Sequence, residues 1–173
     1  MLFFKKWKNQ TDGVAAIEAA LIFPTLVVMM VSLVDLGNGL MSNQKLINAA
    51  QTTADLITRL PNPSLVDRQN AILAGQVSMN PYSLDTYEYA IASYEFDDSG
   101  NPDVVWEETS GTSLPDSMSN GLSELGSPGE GVVVVRVTYT YEPFFTGFII
   151  GPINMEEISY LRGRQSAVVG LPT

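Results

Sequence analysis

Residues 13–36 read GVAAIEAALIFPTLVVMMVSLVDL, a predominantly apolar segment with two acidic residues. Between Glu18 and Asp35 it contains 16 consecutive residues without a charge. The longer segment 14–36 has 23 residues. As a helix it would be about 34 Å long, enough to cross a hydrocarbon core of about 30 Å. We therefore expect residues 14–36 to form a transmembrane helix that carries one acidic residue near each end.

The charge on either side of this segment predicts its orientation. The 173 residues include 19 acidic and 9 basic side chains, so the net charge is −10. Residues 1–13 contain three lysines against one acid and carry +2, whereas the rest of the chain carries −12. Because positively charged flanks stay in the cytoplasm, we expect residues 1–13 to be a cytoplasmic leader and the acidic body to lie outside.

A cleaved secretory signal peptide is the alternative interpretation of the same region. KKWK would be its basic part and LIFPTLVVMMVSLV its apolar core. However, no A-x-A-like cleavage site follows, because the apolar run leads into Asp35-Leu36-Gly37-Asn38. We therefore favour a retained span.

The chain contains neither cysteine nor histidine. This excludes a disulfide framework, a thiol nucleophile, a Cys/His zinc site and a Ser-His-Asp triad. The acidic balance argues against nucleic-acid binding, which requires a basic surface. Asp97 and Asp98 with Glu107 and Glu108 are paired carboxylates, but nothing in the sequence indicates a cleft around them. We expect no metal, no cofactor and no enzymatic activity.

The helical pattern continues beyond the apolar segment. No proline occurs between Leu36 and Leu60, and Pro61-Asn62-Pro63 then ends the pattern. We expect one helix over about 14–60, capped by Thr11 or Asp12 and kinked or loosened at Pro24. Residues 37–60 would form its extracytoplasmic half, where apolar or small residues recur at helical spacing and only Asn43 interrupts them. The residues expected to pack against a partner are Leu36, Leu40, Ile47, Ala50, Ala54 and Ile57.

Residues 64–173 are expected to form a small extracytoplasmic domain. Ser64 can cap a second, short helix that ends near Met79. The period then changes to two, which predicts a β-hairpin from residues 86–96 and 104–109. Its polar turn has a calcium-loop-like spacing, but Pro102 stands where such loops require glycine, so we expect a plain turn. The apolar face of the helix would be Leu65, Val66, Ile72, Leu73 and Val77.

The last third of the chain contains the strongest strand signal. Residues 131–142 alternate and predict a central strand with one covered face, after a long surface loop over 110–131 with one helical turn near Leu122. Residues 155–162 and 165–170 predict a last strand or hairpin. Together these elements indicate an α+β fold with an antiparallel β-sheet. The apolar loop before the last strand either covers the sheet or is an exposed surface for a partner; it contains Phe144, Phe145, Phe148, Ile149 and Ile150.

The junction between leader and apolar segment contains Gly13, Val14 and Glu18. An acid four residues into a membrane helix costs about 2.5 kcal/mol or more if it is unpaired. Cleavage after Gly13 would create an α-amine on Val14, which the Glu18 carboxylate of a neighbouring subunit can neutralise in a helical filament. Gly13 suits the position before the cut because it has no side chain to obstruct a protease.

A basic leader joined to GVAAIEAALIFP, with VDLG at 34–37 and NAA at 48–50, resembles the start of TadE-like proteins of Tad/Flp pilus systems. These open with a G-x-x-x-x-E-x-A-L-x-x-P pattern, and the late V-x-Y-x-Y-x-P strand also resembles the family. The matching residues are Gly13, Glu18, Ala20, Leu21, Pro24, Val137, Tyr139, Tyr141 and Pro143.

The resemblance implies a pilin-like helix in a minor pilin or pseudopilin. Such a protein would lie in the bacterial inner membrane and be processed by a prepilin peptidase. Its partners would be lipid, other pilins or pseudopilins, and proteins of the Tad assembly platform. A membrane-anchored module that is never processed and binds a ligand outside the cell is the alternative function.

Overall fold

The computed structural model describes residues 12–115, 121–123 and 125–172. In chain order the elements are α1 (Asp12–Ile57), α2 (Leu65–Ser78), β1 (Glu88–Phe96), β2 (Pro102–Ser110), β3 (Gly131–Tyr141), α3 (Gly147–Ile150) and β4 (Ile153–Leu161). The four strands form one antiparallel sheet in the order β2-β1-β3-β4. The expected α+β fold is confirmed. Residues 1–11, which include Lys5, Lys6, Lys8 and the capping candidate Thr11, lie outside the described residues.

Helix α1 is 46 residues long and remains helical through Pro24. Its side chains are exposed at every position from 13 to 30. The helix contains an 18-residue window of mean hydropathy 2.3, none of it buried, so by length and composition it can cross a membrane once. The expected long helix is therefore confirmed, and it ends three residues earlier than the sequence indicated.

The second half of α1 lies against one face of the sheet. Val133, Val135 and Val137 of β3 are fully buried on this face, as the period of two predicts. Small side chains on the helix let it approach the strands closely, which favours dense packing. The helix residues in this core cluster are Leu46, Ala49, Ala50, Ala54 and Ile57.

The opposite face of the sheet is also covered at one end, although a single covered face was expected. Val132 and Val134 form a second buried cluster with Phe96 and Leu122. Leu122, in the short helical turn at 121–122, reaches this cluster from the long loop. Gly126 lies so close that a Cβ there would be 2.0 Å from the Phe96 ring. The loop therefore closes over this end of the sheet, a long-range contact that strand alternation does not reveal.

The hairpin turn between β1 and β2 is held by Asp97. Its carboxylate accepts hydrogen bonds from the backbone N–H groups of Ser99 and Asn101, both at 2.8 Å. The Asn101 N–H bond is the leading cause of an Asp97 pKa below its ordinary value. The expected polar turn is confirmed.

The chain after β4 does not form the second strand of a hairpin, so that alternative is wrong. Instead, the Val169 carbonyl accepts hydrogen bonds from the Ser93 hydroxyl at 2.7 Å and the Trp106 indole at 2.9 Å. These bonds hold the segment across β1 and β2, where it cannot extend the sheet from β4.

Helix α2 begins with a capping box. The Ser64 hydroxyl accepts from the Asp67 N–H at 3.3 Å, and the Asp67 carboxylate accepts from the Ser64 N–H at 3.0 Å and from its hydroxyl at 2.6 Å. The Ser64 hydroxyl is the main reason that the pKa of Asp67 lies below its ordinary value. The predicted start of α2 is confirmed.

The predicted apolar face of α2 is largely wrong. Of its five residues only Ile72 is buried, whereas Leu65, Val66, Leu73 and Val77 are exposed. The contact with α1 is made through Ala71, Ile72 and Gly75. A Cβ at Gly75 would lie 2.1 Å from Thr53 Oγ1 and 3.0 Å from the Ala49 carbonyl oxygen. The helices are thus too close for large side chains between them, which turns those side chains outward.

This close approach predicts that Gly75→Ala destabilises the protein. Alanine normally stabilises a helix relative to glycine by about 1 kcal/mol, but here its methyl group would force α2 away from Thr53. We expect the free energy of unfolding to fall by about 1–3 kcal/mol, measured by denaturant unfolding of the full chain in detergent. Gly37→Ala is the matched control, because a Cβ at Gly37 meets nothing within 4 Å. Equal stability of the two variants would contradict this packing.

Candidate functional site

The junction residues lie in the first two turns of α1. Gly13 and Val14 are the second and third residues of the helix, and both are exposed. Among the residues that the structure describes, none outside the adjoining helix backbone lies within 4 Å of a Cβ built at Gly13. Glu18 is exposed and makes no ion pair with another residue that the structure describes. The three residues are therefore accessible to another protein along the same stretch of helix.

The six residues expected to pack against a partner lie in two different environments. Ala50, Ala54 and Ile57 are buried in the core of the chain's own domain, and Ile47 is half-buried beside them. In contrast, Leu36 is 61% exposed and Leu40 is 62% exposed. Only the first two of the six thus present most of their side chain at the surface.

Asp35 fixes the position of the domain where the apolar half of α1 ends. The residue is only 3% exposed. Its carboxylate nevertheless accepts four hydrogen bonds. Oδ1 accepts from the N–H of Phe144 at 3.1 Å, and Oδ2 accepts from the N–H of Phe145 at 2.9 Å. Oδ2 also accepts from the Thr146 N–H at 2.6 Å and the Thr146 hydroxyl at 2.8 Å. Four donors therefore compensate one buried negative charge.

Two tyrosines hold the same turn of α1 through its backbone. The Tyr141 hydroxyl donates to the Asp35 carbonyl at 3.1 Å, and the Tyr82 hydroxyl donates to the Asn38 carbonyl at 3.0 Å. Gly39 gives the Tyr141 ring room, because a Cβ there would lie 3.4 Å from it. The turn over residues 35–39 is consequently bonded to β3, to the segment before β1 and to the loop after β3.

The loop after β3, residues 143–151, is called the exit loop. Asp35 binds it beside the end of the apolar half of α1. Phe144 is 84% exposed, and its ring meets that of Phe145 edge to face at 4.8 Å. Ile149 and Ile150 are also exposed, so the alternative in which this loop covers the sheet is wrong. The Phe148 side chain lies outside the described part. Helix α3 forms within the exit loop because the Thr146 carbonyl accepts from the N–H groups of Ile149 and Ile150.

A shallow groove of about 320 Å³ separates α1 from the exit loop. Ser32, Leu36 and Leu40 line it on the helix side. Ile150, Ile153 and Met155 line it on the other side. The groove is thus lined mainly by apolar side chains. These include Leu36 and Leu40, the two exposed residues of the predicted packing set.

Residues 13–55 match the family model described as TadE-like protein. This TadE-like segment begins at the second residue of α1 and ends two residues before its last. The resemblance drawn from the sequence motif is confirmed. The matched family is associated with Tad pili and is typically structural, and α1 fits a single-pass membrane anchor. No curated protein and no solved structure matches the chain.

Sequence reasoning missed the role of Asp35 in the TadE-like segment. The sequence predicts Asp35 only as an acidic residue near the end of the span. Its partners are 109 to 111 residues later in the chain, and three of its four bonds come from backbone N–H groups, which no side-chain pattern reveals. The signal that the sequence does offer is a lone acid at the end of an apolar run, where a buried charge requires donors.

We expect Asp35→Ala to release the exit loop from the TadE-like segment. The substitution leaves three backbone N–H groups without their acceptor, which lowers the free energy of unfolding by about 3 kcal/mol. Hydrogen exchange at the amides of residues 144–146, measured on the full chain in detergent, should accelerate. Asp98→Ala changes an exposed acid of the hairpin turn and is the matched control. Unchanged exchange at these amides in Asp35→Ala would contradict the role of Asp35.

Proposed function

We propose that this protein is a minor pilin or pseudopilin that takes part in assembling a Tad/Flp-type adhesive pilus. The observation that carries the proposal is the match of residues 13–55 to the TadE-like family, in a helix whose first half lies free of its own domain. A helix exposed at every position from 13 to 30 needs lipid or other helices around it. A pilin that moves from membrane to filament requires both surroundings in turn.

The proposed division of the chain follows from this role. Residues 1–13 are a basic cytoplasmic leader, and residues 14–36 are the half of α1 that spans the inner membrane. Residues 37–60 continue the helix outside, where residues 64–173 form the extracytoplasmic α+β domain. The charge difference between leader and body supports this orientation, because the leader carries +2 and the rest −12.

Processing by a prepilin peptidase would remove the leader after Gly13. The family match begins at this residue, and a Cβ there would meet no other part of the described fold within 4 Å. A larger residue at position 13 should therefore be tolerated by the folded domain but would obstruct the approach of a protease to the backbone.

N-terminal sequencing of the protein isolated from membranes tests this step. In cells with an active prepilin peptidase we expect the chain to begin at Val14. Gly13→Ala should slow the cut and Gly13→Leu should block it, while both variants remain in the membrane. The same strain without the peptidase is the control and should yield the intact leader. An uncut wild-type chain in the presence of the active enzyme would contradict the proposal.

Assembly would depend on Glu18 after the cut. The new α-amine of Val14 is positive, and Glu18 has no cationic partner among the described residues. In a bundle of such helices the carboxylate of one subunit can pair with the amine of the next. Leu36 and Leu40 add an exposed apolar surface for other pilins, pseudopilins or proteins of the Tad assembly platform.

We expect loss of Glu18 to impair assembly more than processing. In a helical bundle, removing one member of a buried ion pair costs about 3–5 kcal/mol, because the other charge remains unpaired. Glu18→Gln and Glu18→Ala should therefore be inserted and cut normally, while co-isolation with pilus components falls.

A matched control separates pairing from a general effect of charge. Glu95→Gln removes an equally exposed acid from β1, outside the proposed helix bundle, and should leave assembly unchanged. Glu18→Ala also makes the span more apolar, so an acid that is merely tolerated would give a neutral or favourable effect. Normal pilus assembly in both Glu18 variants would refute the pairing role.

A further inference from the structure

We propose that the exit loop inserts into the outer face of the bilayer beside α1, so that the domain contacts lipid at a second point. This inference rests on the span in the proposed function. It adds a membrane-binding surface formed by residues that are far from α1 in sequence. Lipid is the occupant to which the exposed side chains of Phe144, Phe145, Ile149 and Ile150 are assigned.

The composition of the exit loop suits lipid. Residues 143–155 contain no charged side chain, and Glu142 and Glu156 flank them. Four large apolar side chains in this run are exposed to at least 46%. Large exposed apolar surfaces of this kind mark contact sites for membranes or proteins, and an uncharged one avoids the cost of moving ions into hydrocarbon.

Most backbone N–H groups of the exit loop are hydrogen-bonded within the protein. The N–H groups of Phe144, Phe145 and Thr146 donate to Asp35. The N–H groups of Ile149 and Ile150 donate to the Thr146 carbonyl, and that of Gly151 donates to the Gly147 carbonyl. A backbone polar group that leaves water without a partner is costly, so an interfacial loop is favoured when its groups are bonded within the protein. Six backbone N–H groups of the exit loop are bonded in this way.

The position of the exit loop along α1 places it at the membrane surface. Ile150 lines the same groove as Ser32, which lies within the uncharged run between Glu18 and Asp35. Ser32 is three residues before Asp35, or about 4.5 Å nearer the middle of the span. The exit loop therefore overlaps the last turn of the segment that must be in lipid, and Asp35 is shielded by its four donors at that depth.

Continuity with the span favours lipid over a protein partner for this surface. Leu33 and Leu36 flank Asp35 in α1 and are exposed. Leu36 also lines the groove together with Ile150, so the apolar surface of the helix adjoins that of the exit loop there. Interfacial segments of proteins bury apolar side chains about 5–10 Å below the headgroups. An exit loop held at the end of the span by Asp35 has this depth without further movement.

The absence of cysteine from the sequence permits a direct test on the full chain in lipid vesicles. Phe144→Cys and Ile149→Cys, each labelled with an environment-sensitive fluorophore, report on the exit loop. Leu33→Cys reports on the span, and Leu73→Cys on α2 is the matched control. Leu73 is 55% exposed and equally apolar. However, α2 packs against Ala49 and Thr53, which are about 20 Å or more beyond Asp35 along the helix.

The quencher is a lipid spin-labelled close to its headgroup, with aqueous iodide as the complementary quencher. We expect the lipid quencher to reduce emission at positions 144, 149 and 33 at least about twofold, and emission at position 73 to respond to iodide alone. Quenching by lipid at position 33 but not at 144 and 149 would overturn the proposal and leave the span intact. Protection of 144 and 149 from both quenchers would assign the surface to a protein and also overturn it. A lack of lipid quenching at position 33 would contradict the span itself.

Discussion

The packing of α1 against β3 joins the apolar helix to the folded domain. Ala49, Ala50 and Ala54 bring the helix close to a strand whose inward side chains include Val133 and Val135. Because one continuous helix forms both the apolar segment and this core, the domain is attached without a flexible linker. The orientation of the domain relative to the apolar half of α1 is therefore set by the hydrophobic core of the domain.

Hydrogen bonds concentrated in the turn at residues 35–39 reinforce this attachment of the helix to the domain. Within this single turn α1 exchanges the exposed apolar surface of its first half for a surface that packs against the domain. Asp35 makes that exchange with a charge, and the loop after β3 returns to compensate the charge with N–H groups. Tyr82 and Tyr141 bond the helix carbonyls of this turn, so the boundary between the two halves of α1 is a fixed structural feature.

Ion pairs and one cation–π contact join α2 to β2 and α1 to the C-terminal segment. Arg68 of α2 lies 3.1 Å from Glu108 of β2, and its guanidinium is 5.1 Å from the centre of the Trp106 ring. Asp55 of α1 meets both Arg59 and Arg164, and the hydrogen bond from Arg59 is the leading cause of its lowered pKa. These contacts bring α2 and the C-terminal segment against the helix and sheet. The Asp55 pairs contribute little free energy, because their arginines are more than half exposed to solvent.

Much of the architecture was determined by the sequence alone. The uncharged run, the proline stop after Leu60 and the alternation in β3 predict the long helix and the antiparallel sheet, because these depend on local periodicity. The Gly13, Glu18 and Pro24 pattern was likewise sufficient to indicate the family. A capping box at Ser64 is also a local signal, and it gave the start of α2 correctly.

Only the tertiary structure decided which surfaces remain free. The apolar residues of α2 face outward because Gly75 sets the distance between the two helices. Leu36 stays exposed beside the groove between α1 and the exit loop, whereas Ala54, with the same periodicity, is buried in the core cluster with β3. The bonds from Asp35 to the exit loop connect residues more than 100 positions apart. Local periodicity carries no information about such pairings. They depend on which part of α1 the loop after β3 approaches in the folded domain.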